Sequence, residues 1–588
     1  MNQLFHLLWL FPLLISCSGA YFGEEKRFNQ FVQKEFDERI QKHPELSTVL
    51  GLSSGKSQWN DLSESFLRAQ YETAETNLKK LSEFDVSAFS QRSQLSRKIF
   101  KLLMEEKKNS FDFRFHHYIV NPLFGRQSRV TAFLINMHTI ENIQDAKDYI
   151  TRVRGIKDNF AQVTSRLQAS AKRGIVPPRF IFSRVEGNIR SLLKGYPVGS
   201  EGDHVLVRDF NKKISALNLS PVKKKKLNEE LEQALLKFYK PAYEHLLATW
   251  LELQAKSKND VGVWSQPDGQ KYYAFLLRKR TTTDLTPEDI YQLGLKEVQR
   301  LHLEIEQLKS KLNFNGSLLD FFNHFRNSRK FYHRNREVYI TKSNTAISEI
   351  KKELPKFFKN LPKYPVIVKR VESFREKTTG GGFYQPPAVE GSRPGIFYVN
   401  LYRMSERPKY ALKALTFHET LPGHHLQIST ALSLKSLPQF QRYARFTAFT
   451  EGWALYAERL AGEMGFYTTE YDQFGALSYE LMRACRLVVD TGLHYKKWSR
   501  DRAIGYLIRN SDVSYDSAVR SVERYIVNPG QATAYMIGFL KILELRELAK
   551  KTLGDKFDIK EFHHQVLKNG ALPLTVLEEN IRAWLKTS

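Results

Sequence analysis

Residues 417–427 read Phe417-His418-Glu419-Thr420-Leu421-Pro422-Gly423-His424-His425-Leu426-Gln427. In the usual zinc-peptidase helix two histidines stand four apart, so that both imidazoles reach one ion, and a glutamate after the first serves as general base. Here position +4 is Pro422, and the next histidines come at +6 and +7. At about 100° per residue a straight helix would put His424 about 240° around from His418. His425 would return to within about 20°, but roughly 10 Å further along the axis. Neither suits one ion. Pro422 cannot donate to the His418 carbonyl, and Gly423 tolerates unusual dihedrals, so the pair predicts a kink or bulge. Removing Pro-Gly leaves His-Glu-Thr-Leu-His, the usual spacing. His418 and His424 are therefore the expected ligands, and His425 is the alternate.

A third protein ligand normally completes such a site and leaves one position open. Phe449-Thr450-Glu451-Gly452-Trp453-Ala454-Leu455-Tyr456-Ala457-Glu458 begins a second helix beyond the break expected at Pro438, and its two carboxylates, seven apart, share one helix face. Glu451 is the expected ligand. Glu458 is expected behind it, holding a ligand imidazole by its free N–H.

Working outward, three segments rich in β-branched and aromatic residues read as strands: Glu337–Thr341, Tyr364–Val368 and Ile396–Asn400. They predict a small sheet at about 335–402, just upstream of the metal motif. Elsewhere helical periodicity dominates. Thr286-Pro287-Glu288-Asp289 is a helix start, followed by an apolar stripe at Val298, Leu301, Ile305, Leu308 and Leu312. Ser220-Pro221 opens another helix, expected to end or kink at Pro241. No fixed-period repeat and no low-complexity linker is present.

The 588 residues are 42% hydrophobic and 26% charged, which excludes disordered, collagen-like and polytopic membrane chains. Leu4–Ile15 is an apolar run too short to span a bilayer and suited to a signal peptide, here 1–16. Leu14-Ile15-Ser16-Cys17 resembles a bacterial lipobox, in which Cys17 would be lipidated and anchor an exported envelope protein; without lipidation the protein would be secreted. Cys485, the other cysteine, is expected as a small buried residue. The net charge is +27. Export argues against a nucleic-acid partner, and Lys223–Lys226 reads as a solvated face or an attraction to anionic envelope surfaces.

From about Tyr272 onward the chain resembles the bacterial domain-of-unknown-function 885 family, whose members look like gluzincin-type zinc metallopeptidases and are often exported lipoproteins. The resemblance rests on Leu285–Glu288, Gly391–Gly395, Tyr398–Asn400, His418-Glu419 with Pro422–Gln427, Glu451–Ala454, Val489–His494, and Pro529–Ala532 followed by Tyr535. It implies a mostly α, two-lobed zincin-like fold with a deep channel and a small β-sheet beside the metal helix. In this reading 17–270 is an N-terminal helical region and 271–588 the catalytic region, with one zinc ion per chain. The expected reaction is peptide hydrolysis with Glu419 as general base; Tyr535 and His494 are oxyanion candidates through the resemblance. The strand Ile396–Asn400, carrying Tyr398 and Asn400, could hold an extended peptide by strand addition, and Arg393 and Arg524 could take a substrate carboxylate. The alternative is a metal- or peptide-binding lipoprotein without catalysis.

Overall fold

Helices defined by caps and apolar stripes carry most of the chain. The computed structural model describes residues 12–52, 54–372, 376, 380–389, 391 and 393–587, with side chains from 23 onward. Most of the signal-peptide reading, and the side chain of Cys17, lie outside the described residues. Among those described, no helix is long and apolar enough to cross a membrane.

The helix Pro287–Lys311 begins as its sequence requires: Thr286 accepts from Asp289 N–H, and Asp289 reaches back to Thr286 N–H. Val298, Leu301, Ile305 and Leu308 are buried against the helix Glu470–His494, which runs alongside. Ser220 caps the helix Pro221–Ala234. A π-helical turn at Leu235–Tyr239 absorbs Pro241, and the chain continues helical over Lys240–Gln254. One large buried cluster extends from Phe28 through Trp250 and Trp453 to Ile581, so N-terminal and C-terminal helices share a core. Phe36 stacks on Tyr443, and Ser96 Oγ donates to Gln441 Oε1 at 2.7 Å.

The sheet has three strands, β1 (Val366–Arg370), β2 (Gly382–Gln385) and β3 (Gly395–Val399), in the order β1-β3-β2. β3 is parallel to β1 and antiparallel to β2. Two expectations are corrected here. Glu337–Thr341 belongs to the helix Arg336–Glu353, capped by Asn335; Tyr339, Ser343, Ala346, Ile347 and Ile350 form its buried stripe, and that 3–4 period, longer than the five-residue window, overrides the β-branched composition. The strand Ile396–Asn400 is central, paired on both sides, so its backbone cannot accept a further strand. β2 is only four residues long and, although it carries the aromatics Phe383 and Tyr384, has none of the β-branched residues that would have marked it.

Candidate metal centre

The chain breaks where Pro422 and Gly423 predict. Helix Leu412–Glu419 ends, residues 420–423 turn, and helix His424–Ser433 begins. The corner is tight: Gly423 N–H donates to Phe417 O, and a Cβ on Gly423 would stand 2.0 Å from the His418 carbonyl oxygen. A side chain there would force the two helices apart. Trp453, on the helix Thr447–Glu463, donates from Nε1 to Pro422 O at 2.9 Å and clasps the corner.

With the corner folded, one nitrogen each from His418 and His424 and one carboxylate oxygen of Glu451 lie within 4.8 Å of one another. Glu451 Oε2 is 3.3 Å from His424 Nε2 and 3.7 Å from His418 Nε2, yet makes no hydrogen bond. Zinc–ligand bonds near 2.0–2.2 Å in tetrahedral array put donor atoms roughly 3.4 Å apart. Buried donors that converge without bonding one another fit that requirement, and two imidazoles with a carboxylate are a zinc donor set.

The surroundings fix each donor. His418 Nδ1 donates to Glu458 Oε1 at 2.7 Å, which points Nε2 into the site. Arg483 Nη2 donates to the same Glu458 oxygen at 3.1 Å. Glu451 is placed by close helix packing: a Cβ on Gly452 would meet Gly538 backbone at 2.3 Å, and one on Gly538 would meet Ala448 O at 1.8 Å. The helix Ala534–Leu553 therefore lies directly on the Glu451 helix and brings Tyr535 beside the site, its ring 6.3 Å from that of His418 and nearly parallel to it.

The electrostatics are set by carboxylates and imidazoles facing one another out of water. Burial alone would lower the His418 pKa, but Glu451 and Glu458 outweigh it and raise it to about 10. Burial would raise Glu451, yet the facing imidazoles hold it well below the usual carboxylate range. Glu419, buried with Oε2 unpartnered, is pushed up by burial.

The other expected residues divide. His425 turns away from the cluster: Nε2 donates to Tyr364 O at 3.0 Å, Nδ1 accepts from Tyr384 Oη at 2.8 Å, and burial lowers its pKa to about 4. His494 is not aimed at the cluster either. Its Nδ1 accepts from Val263 N–H and its Nε2 donates to Tyr525 O, so both nitrogens are committed to backbone. Tyr535 is in place, its hydroxyl accepting from Arg524 Nη2 at 2.9 Å. The same Arg524 nitrogen donates to Gln531 Oε1. Arg393 donates to Val49 O, Tyr398 to Asn136 Oδ1, and Asn400 Nδ2 to Glu376 O. Asp490, in the Val489–His494 stretch, accepts from Tyr273 Oη and Gly530 N–H and so anchors the turn leading to Tyr535. Arg483 and Arg486 were missed; two arginines among Leu481, Ala484, Cys485, Leu487 and Val488 were the available signal, since that face has no room for idle charge.

A helical fold with a buried His-His-Glu centre beside a small mixed sheet is the class these features define. Over residues 44–581 the chain matches the family described as "Bacterial protein of unknown function (DUF885)" and belongs to it. The match reaches well into the N-terminal helices, beyond the limit at Tyr272. The crystal structure of "the putative lipoprotein from Colwellia psychrerythraea" is 29% identical, covers 96% of this chain and 100% of that chain, and has a TM-score of 0.92. That of "a putative lipoprotein of unknown function from Shewanella oneidensis" is 18% identical, covers 94% and 99%, and has a TM-score of 0.69. No curated protein matches the chain.

Proposed function

We propose that this protein is a zinc-dependent peptidase acting outside the cytoplasm, with His418, His424 and Glu451 as ligands. The observation that carries the reading is the convergence of those three donors beside a buried, unpartnered Glu419. Zinc, when bound, supplies a Lewis acid that polarises a carbonyl and acidifies water. Glu419 takes the proton from the attacking water and returns it to the leaving amine. Its burial supports that role, since a carboxylate held out of water with Oε2 unpartnered takes up a proton more readily than an exposed one. The Tyr535 hydroxyl, oriented by Arg524, donates to the carbonyl oxygen as negative charge develops there.

Strand addition moves to β2. Among the described residues it pairs only with β3, it lies against Leu415 of the His418 helix, and its Tyr384 ring stands 6.5 Å from the His424 ring. An extended peptide along that edge would receive backbone hydrogen bonds independent of its sequence. The lipobox at Cys17 and the description of both relatives as putative lipoproteins support anchoring to the cell envelope. Metal analysis of the purified protein, together with cleavage of a peptide library, tests the function. About one zinc per chain and cleavage are expected; zinc without cleavage would favour a binding protein.

A further inference from the structure

Arg483 and Arg486 sit one turn apart on the helix Glu470–His494, and only one of them has found a partner. Arg483 donates to Glu458. Arg486 lies with its guanidinium carbon 4.5 Å from the centroid of the Tyr535 ring, and its Nε and Nη1 are buried without any hydrogen-bond partner. No carboxylate among the described residues pairs with it, although the residue is partly exposed. Several buried arginines are paired with carboxylates, Arg126 with Glu45 and Arg546 with Glu463, and Arg152, which has no carboxylate, spends its fork on Gln58 O, Gly55 O, Thr48 Oγ1 and His138 Nδ1. Arg524, which donates to the Tyr535 hydroxyl, is likewise without a carboxylate partner, and its Nε is buried and unbonded.

Two guanidinium nitrogens buried without a partner cost free energy that an anion entering from the exposed side would recover. The planar fork of Arg486 matches a carboxylate. The ring on which Arg486 rests lies in turn beside His418, so an anion bound there would sit within a few residues of a bond cut at the metal centre, extended peptide advancing roughly 3.3 Å per residue. We propose that Arg486 binds the free α-carboxylate of the substrate, and that the enzyme removes short pieces from the carboxyl ends of peptides. Arg524 then serves as a positioning residue for Tyr535. The proposal rests on the peptidase reading above and supplies its substrate class.

The test compares one peptide as its free acid and as its C-terminal amide. Mass spectrometry should show short C-terminal fragments released from the acid, with the amide cut at least about tenfold more slowly, as expected for loss of a charge-assisted contact. Arg486→Gln should abolish that preference by slowing the acid alone, and Arg486→Lys should retain part of it. Equal cleavage of acid and amide by the wild type, or interior cuts, would overturn the proposal. So would restored cleavage of an amide ending in glutamate, which would assign Arg486 to a side-chain carboxylate. A second measurement needs no turnover. Zinc-loaded Glu419→Gln should bind the free acid more tightly than the amide by calorimetry, and adding Arg486→Gln should remove the difference. If the wild type cuts nothing while this difference persists, the peptidase reading fails and the anion site stands; equal affinities would sink the site itself.

Discussion

Asp490 and His494 are as deeply buried as His418 and Glu419, yet the two clusters arrange their polar atoms differently. His494 commits both ring nitrogens to backbone, and Asp490 Oδ1 accepts from Tyr273 and Gly530. Around His418 only the rear nitrogen is committed, to Glu458; the forward nitrogen faces Glu451 and His424 across contacts that are not hydrogen bonds. Both arrangements place histidine and carboxylate in the interior. Asp490 Oδ2 is also buried without a partner; what sets the His418 cluster apart is that three donor atoms converge within 4.8 Å without bonding one another.

The largest effect should come from removing a donor from the converging cluster. Glu451→Gln and His424→Ala should each lower bound zinc from about one equivalent to near none in metal analysis, and with it all cleavage. His425→Ala, which touches only the outward neighbour, should keep the metal. Next is Glu419→Gln, which should retain zinc and folding while cutting kcat by roughly 10²-fold or more, because the amide cannot accept water's proton. Unchanged kcat would remove Glu419 from its role.

A smaller effect is expected where neither cluster is touched. Gly538→Ala places a methyl against Ala448 O and should cost about 1–3 kcal/mol in denaturant unfolding through overpacking, with weaker zinc affinity as the Glu451 helix is displaced. The last comparison is pH dependence, where buried histidines outside the metal centre should dominate. Burial lowers His494 and His204 to about 4, and His138 and His563 to about 3, from 6.5. The unfolded chain therefore takes up protons first, so their contribution to stability is full above pH 6.5 and is lost as pH falls toward 4. Asp490, raised by burial to about 7, acts in the reverse sense: the stability it contributes at low pH is lost as pH rises from about 4 to 7. Asp490→Asn should remove that opposing slope in unfolding midpoints measured from pH 4 to 8.

The sequence made legible what is local. The capping box at Thr286, the stripe Val298–Leu308 and the break at Pro422-Gly423 each depend on residues a few positions apart, and each is where spacing put it. The convergence of His418, His424 and Glu451 was also readable, because His-Glu followed by a helical Glu-Gly-Trp specifies donor types directly. Tertiary context hid the rest. The five residues 337–341 fit a strand in isolation and read as helical only with the buried stripe Tyr339, Ser343, Ala346, Ile347 and Ile350 taken whole. β2 carries only Phe383 and Tyr384 as a composition signal, too short a run to read; it exists because β3 offers it an edge. His494 belongs to a stretch shared with the family, but nothing near it in sequence reveals that Val263 and Tyr525 consume its ring. Arg486 is exceptional only once Glu458 is seen to be occupied by Arg483.

The clasp of Trp453 on Pro422 has a consequence for where the metal site resides. In an uninterrupted helix the backbone repeat alone would align two histidines, and a short peptide would carry the alignment with it. Here the two imidazoles ride on separate short helices meeting at a corner that a third helix holds closed, and that same third helix contributes the carboxylate. A synthetic fragment spanning 412–433 would contain both histidines and the glutamate between them, and still lack the site.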